Sequence, residues 1–224
     1  MIVVHVPEDI ARTTDYEYDV INGIKLRTVD NIRQSITHEK SDLYFGNSDR
    51  IDTVYEGGFK SWECQYDIIK HVKLCGSVLD LGCGVGCLGI FALKQHCQVD
   101  FIDYNDDVIT HATIPNVVLN RGNTKNCQFY SGSWNELDPS LQYDYIVAAD
   151  VLYAKRNHSE IARIIKTNLK EQGTCFIGTK SRYFGVDGDM LDFLSILSNF
   201  QLSFDKQCVH SSGIKRFILR IWKS

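Results

Sequence analysis

Residues 78–86 read Val-Leu-Asp-Leu-Gly-Cys-Gly-Val-Gly. Apolar residues interrupted only by Asp80 predict a buried strand that runs into a glycine turn. Gly82, Gly84 and Gly86 strip the side chains from one side of that turn, so a ligand can approach the backbone closely. The helix expected next aims its first N–H groups at the same place. Gly84 to Gly89 also spells the GxGxxG pattern of dinucleotide sites, and a glycine turn that holds nothing is the plainer alternative. Three features favour S-adenosylmethionine over a dinucleotide. Asp80, two residues ahead of the first glycine, suits an ammonium group, directly or through water, and repels a pyrophosphate. The chain ends in what reads as an antiparallel hairpin, which dinucleotide folds lack. No basic residue follows the loop until Lys94.

Other chemistry-bearing residues fall at the ends of expected strands. Asp103 closes Val-Asp-Phe-Ile-Asp-Tyr-Asn, where a carboxylate can accept both hydroxyls of a ribose, with Tyr104 and Asn105 beside the ribose and adenine. The alternative is a helix cap, which suits Asn105 or Asp106 better. Ser131-Gly132-Ser133-Trp134 ends the third strand and offers polar backbone and a ring for the purine; Trp134 is equally readable as core. Tyr143 to Tyr153 read YDYIVAADVLY, with Ala149 and Asp150 at the strand end and Tyr153 one turn on. Ligands of open α/β sheets sit at strand carboxyl ends, which makes Asp150 the candidate carboxylate for a methyl acceptor. A cap for the segment near Ala154 is the alternative. A lysine acceptor starts at a pKa of about 10.4, a histidine at about 6.5 and mostly neutral. A carboxylate that accepts one imidazole N–H would fix the tautomer, present the other nitrogen and stabilise the cation formed.

These residues need a sheet to hold them. Strands are expected at 78–81, 99–102, 128–130, 145–148 and 175–178, then at 201–209 and 215–221. Helices are expected at 87–96, 115–120 with Pro115 in the first helical position, 158–169 closed by Gly173, and 190–197. Alternation of this kind predicts a parallel sheet covered on both faces, and the short turn at Ser212-Gly213 an antiparallel final pair. His158 and Glu160 read as a solvated helix face. Lys215, Arg216 and Arg220 read as basic charge on a strand at the sheet edge. The stretch ahead of Ser77 lies outside this core. It carries β-like runs at 2–6 and 24–29, acids at Asp15, Glu17 and Asp19, and a helix at 64–72.

Composition bounds the rest. The 224 residues are 44% hydrophobic and 23% charged, as in a globular protein of one domain. Twenty-four basic against 28 acidic residues give −4, with no dense basic run, so no direct nucleic-acid contact is expected. No apolar stretch approaches membrane-spanning length, and MIVVHVPEDI lacks the basic start of a signal peptide, so the expected residence is cytoplasm and nucleus. The eight cysteines include no CxxC pair, and most lie in apolar runs as buried thiols; no metal site is expected.

Several segments together resemble the protein-histidine N-methyltransferase family, in the DxxY group of seven-β-strand methyltransferases. They are YEGGFKSWEC (residues 55–64), DLGCGVGCLGI, IDYN, TIPNVVLN, SGSW, TKSRYFGVDG and IKRFIL, in this order. The resemblance implies a Rossmann-like α/β fold, its seven-stranded sheet ending in the antiparallel hairpin. The chain is read as an N-terminal extension at 1–54, packed on a methyltransferase domain at 55–224. The resemblance also implies S-adenosylmethionine as donor, with Trp62, Glu63 and Cys64 at its methionine end, and a protein substrate, the third protein of the large ribosomal subunit. A monomer is expected. Tyr183 and Phe184, past the fifth strand, can wall the acceptor pocket or pack on the next helix. Two departures bear on that pocket. Ala149-Asp150-Val151-Leu152-Tyr153 stands where the family has Ser-Glu-Thr-Ile-Tyr and is closer to lysine-directed enzymes of the group. Asp187 and Asp189 stand where the family tends to glycine. A lysine-directed enzyme or a noncatalytic binding module of the same fold are the alternatives.

Overall fold

A computed structural model describes residues 1–6, 18–46, 50–51, 54–121 and 124–224. Pro7, Asp15 and Glu17 lie outside them. Strands β1 (Ile2–Val3), β2 (Tyr18–Ile21) and β3 (Ile24–Arg27) come first, then helices α1 (Val29–Gln34), α2 (His38–Phe45) and α3 (Glu63–His71). The central run is β4 (Ser77–Leu81), α4 (Cys87–Lys94), β5 (Gln98–Asp103), α5 (Asp106–Val108), α6 (Ile114–Arg121), β6 (Cys127–Ser131) and β7 (Tyr143–Ala149). The chain finishes with α7 (His158–Asn168), β8 (Leu169–Lys180), α8 (Met190–Ile196), β9 (Leu202–His210) and β10 (Arg216–Lys223).

The main sheet has the order β1-β6-β5-β4-β7-β8-β10-β9. The five strands from β6 to β8 are mutually parallel, and β10 pairs antiparallel with both β8 and β9. From β4 the chain winds outward through β5 and β6, then returns to the other side of β4 for β7 and β8. That reversal opens a crevice at the carboxyl ends of the central strands. Side chains alternate across the sheet as the pleat requires. Val78, Phe101 and Val147 join the core under α3, α4 and α6, while Leu79, Ile102, Ile146 and Ala148 join the one under α7 and α8.

The seven expected strands form, and β1 adds an eighth by pairing Ile2 with Ser131 and Val3 with Tyr130 at the β6 edge. Four other expectations are corrected. Pro115 does not open a helix. It lies inside a helical run in which a π turn, Ile109–Thr113, joins α5 to α6. Proline has no N–H for the carbonyl of His111, and Arg27 Nη1 donates to that carbonyl instead at 2.7 Å. Gly173 does not close α7. The helix ends at Asn168 and β8 begins at once, with Gly173 in a bulge where a Cβ would meet Leu169 and the Asp144 carbonyl. His158 is 3% exposed, its Nε2 lies 3.0 Å from the Leu152 carbonyl, and its ring meets Phe193 edge-on. β10 is not the edge strand: β9 covers it, and Arg216 donates to Asp67 on α3 at 2.6 Å.

Candidate active site

Strand β4 delivers the glycine loop to the crevice. The N–H groups of Gly82 and Cys83 donate to the Ile102 carbonyl at 2.9 Å, tying the loop to the end of β5. Gly82, Gly84 and Gly86 have φ of +68°, +51° and +81°, a left-handed path that side chains resist. A Cβ on Gly84 would lie 3.0 Å from the Gly58 carbonyl, and one on Gly82 3.3 Å from Trp134 Cζ2. Asp80 does not face the crevice. It is buried beneath the loop, where Oδ2 accepts from Gly89 N–H at 2.7 Å and anchors the start of α4. Burial raises its pKa to about 7.

The loop borders a cavity of about 830 Å³, within the usual range for small-molecule sites. Asp103 reaches it from the tip of β5. Its Oδ2 accepts from Gly84 N–H at 2.9 Å and its Oδ1 from Asn105 N–H at 3.2 Å. Burial lifts its pKa to about 6. Tyr104, Ser133 and Trp134 line the same side, and Trp134 Nε1 is buried without a partner. Asn105 and Gly132 stand behind this wall. The Asn105 amide instead holds the 54–56 segment, donating to the Val54 carbonyl at 2.8 Å and accepting from Glu56 N–H at 3.3 Å.

The opposite wall is built by β7, β8 and α3. Ala149, Asp150 and Tyr153 line it with Trp62, Tyr183 and Phe184. Asp150 is 7% exposed and sits at φ +54°, a strained position for a residue with a side chain. It caps no helix near Ala154. Its Oδ2 accepts from Cys64 N–H at 3.3 Å, at the first turn of α3, and its Oδ1 from the Tyr183 hydroxyl at 3.1 Å. Lys180 Nζ lies 3.9 Å from Oδ1 and 2.8 Å from Glu63, over the Trp62 ring. Burial raises the Asp150 pKa against the opposing pull of the Lys180 charge and these hydrogen bonds. Burial likewise disfavours the Lys180 charge, but its hydrogen bond to Glu63 and the Asp150 charge outweigh that and raise its pKa.

Besides Asp80, Asn105 and Gly132, three more expected site residues, Glu63, Cys64 and Asp187, stand off the cavity wall. Glu63 points outward to Lys180, and Cys64 contributes its backbone N–H behind Asp150. Asp187 accepts from Lys155 N–H at 3.2 Å, fixing the turn ahead of α7, and Asp189 caps α8 by accepting from Asp192 N–H at 2.8 Å. Glu56, Gln65, Lys180 and Arg156 line the cavity without having been singled out. Glu56 and Lys180 lay inside the quoted segments YEGG and TKSRYFGVDG, so their neighbourhood was signalled. Gln65 carried no signal.

This donor set fits S-adenosylmethionine. The loop is a cradle that a Cβ would fill, Asp103 is placed for a diol, and the ring of Trp134 stands beside them. Residues 75–212 match the family model described as a methyltransferase domain. The chain belongs to this methyltransferase-domain family. It is 38% identical over 159 residues to a histidine protein methyltransferase 1 homolog of Dictyostelium discoideum, covering 67% of this chain and 52% of that one. A homolog of the same name from Rattus norvegicus is 32% identical, covering 81% of this chain and 60% of its own. The chain thus spans about half to three fifths of the length of these relatives. A TehB-like SAM-dependent methyltransferase from Corynebacterium glutamicum shares the fold, with TM-score 0.58 at 19% identity over 88% of this chain and 98% of that one. A methyltransferase domain takes its methyl group from S-adenosylmethionine as donor, and the glycine loop, Asp103 and Trp134 are the residues that would hold it here.

Proposed function

We propose that this methyltransferase domain transfers a methyl group to a histidine ring nitrogen of a protein. The observation that carries the reading is Asp150: a buried carboxylate on the acceptor wall whose charge is offset by Lys180 and held by two hydrogen bonds. The likeness to histidine protein methyltransferase 1 homologs supports it.

When bound, the donor supplies an electrophilic methyl on a sulfonium. The residues of the chain have to place a ring nitrogen in line with it, and positioning of this kind is worth up to ~7–11 kcal/mol. Trp62, Tyr183 and Phe184 supply flat apolar walls for an imidazole. As the N–C bond forms and the S–C bond breaks, positive charge passes to the ring, and the Asp150 carboxylate stabilises it in place. The ring N–H proton then leaves to water. Asp150 also keeps α3 seated through Cys64, so the wall and the charge are set by one side chain.

On the strength of the resemblance, the substrate is the third protein of the large ribosomal subunit. The enzyme works as a monomer in the cytoplasm and nucleus, without direct contact to nucleic acid. Residues 55–224 form the catalytic domain, with 1–54 as an N-terminal extension. The test is incubation with labelled S-adenosylmethionine and a ribosomal extract from cells lacking the enzyme, followed by amino-acid analysis. Labelled methylhistidine in that ribosomal protein is expected. Label in methyllysine would replace the reading with the lysine-directed one.

A further inference from the structure

Lys180 ends β8 on the acceptor wall. Its Nζ lies 5.5 Å from the centre of the Trp62 ring and 5.9 Å from that of Tyr183, with Asp150 Oδ1 at 3.9 Å and Glu63 at 2.8 Å. Trp62, Tyr183, Asp150 and Lys180 all line the cavity. Aromatic rings beside a carboxylate are a natural seat for an ammonium group. Here the chain fills that seat with its own side chain. The side chains of Lys180 and Asp150 are 16% and 4% exposed, whereas Glu63 is 58% exposed. Water therefore screens Glu63, and what the cavity keeps is a buried pair of nearly balanced charge.

We infer that Lys180 is a specificity-determining residue: it occupies the ammonium seat of the acceptor wall, so the cavity refuses a lysine side chain and admits a neutral imidazole. The inference rests on the histidine reading above and adds what excludes the competing acceptor. A lysine reaches the cavity as a cation. Beside Lys180 it would meet a like charge at about 4–6 Å and a carboxylate that is already paired. To enter neutral it must first lose its proton, a form that makes up only about one part in 10³ at pH 7. A histidine arrives mostly neutral and meets neither barrier. The charge on its ring forms only as the methyl is transferred, next to Asp150. Asp150 without Lys180 would not discriminate, because an unpaired buried carboxylate attracts an ammonium more strongly than a neutral ring.

The experiment first maps the histidine that wild type labels in heat-treated total protein from cells lacking the enzyme, with labelled S-adenosylmethionine. Two synthetic peptides follow, one spanning that histidine and one with lysine in its place. The readout is the ratio of kcat/KM for the lysine peptide to that for the histidine peptide. It is measured in wild type, Lys180→Met, Lys180→Gln and Lys180→Arg. Lys180→Met and Lys180→Gln both remove the charge, one with an apolar and one with a polar side chain, so failure of either to fold leaves the other. In wild type the ratio is expected below about 10⁻³. It is expected to rise about tenfold or more in the two uncharged variants, and to stay near wild type in Lys180→Arg, which keeps a cation. An unchanged ratio in the uncharged variants would overturn the inference and leave the histidine reading standing. Loss of S-adenosylhomocysteine binding by a folded uncharged variant, read by calorimetry without acceptor, would also overturn it, by assigning the Lys180 ammonium to the donor's carboxylate. A wild type that labels lysine in place of histidine removes both.

Discussion

The Tyr153 hydroxyl donates to Glu56 Oε2 at 2.7 Å, joining residues separated by 97 positions in the chain. Arg50 and Arg156 flank the same carboxylate at 3.5 and 3.1 Å, and Arg50 stacks over the Tyr153 ring. This cluster ties the segment before α3 to the loop after β7, the two pieces of chain that frame the cavity. Burial and the Glu56 hydrogen bond both raise the Tyr153 pKa, so it remains a donor. Tyr153→Phe removes a largely buried hydrogen bond to a charged group, worth about 1.5–3 kcal/mol. The expected result is a donor dissociation constant raised about tenfold in calorimetry, with the melting temperature lowered by several degrees.

Asp150→Asn keeps the shape and a hydrogen-bond acceptor for Cys64, and asparagine tolerates the left-handed backbone. It removes the charge. Turnover is expected to fall about 10²–10³-fold, the usual loss when one preorganised electrostatic group is removed. S-adenosylhomocysteine binding should change little. Full turnover would remove Asp150 from the mechanism.

Donor binding should weaken in acid. Burial holds Asp103 near about 6, so it is an anion ready for two hydroxyls above that pH and a carboxylic acid below it. Affinity should fall about tenfold for each pH unit below the transition, and Asp103→Asn should flatten the profile. Stability runs the other way. Asp80 and Asp103 hold their protons more tightly folded than unfolded, with pKa values raised to about 7 and about 6. Their contribution is therefore present below the unfolded carboxylate range and is lost as pH rises through these values. Melting temperatures of wild type and Asp80→Asn across that window should converge toward acid and diverge toward neutral pH, with the variant the more stable.

Gly89 tests the packing under the loop. A Cβ there would collide with the Phe101 ring, which is buried between α4 and β5. Gly89→Ala is expected to destabilise by about 1–3 kcal/mol, in spite of alanine's better helix propensity. Denaturant unfolding measures it.

Phe184 is 74% exposed at the cavity mouth, beside Gly185 at φ +73°. Phe184→Ala should leave the melting temperature unchanged and raise KM for a protein substrate about tenfold, the cost of losing an aromatic anchor. An unchanged KM would place the substrate elsewhere.

The residues at strand tips were legible because their chemistry is local. Gly82 and Gly84 announce a turn without side chains, Asp103 and Asp150 end apolar runs, and strand ends converge in any parallel sheet. The helix at 115–120 was misread because proline in a first-turn position and proline just after a π turn inside a longer helical run look alike; the difference is Arg27, far away in sequence, which takes the carbonyl that Pro115 leaves. His158 read as solvated for a similar reason, since the Phe193 ring and Leu152 carbonyl that bury it come from other elements.

The sequence by itself determined the parallel sheet, the antiparallel final pair and the glycine cradle, because each follows from periodicity and backbone freedom over a few neighbouring residues. Only the tertiary structure decided which acids face the cavity. Asp80 turns under the loop to Gly89, and Glu63 turns out to Lys180. The direction of a side chain depends on which distant donor meets it after the layers pack, and spacing along one chain carries no record of that meeting.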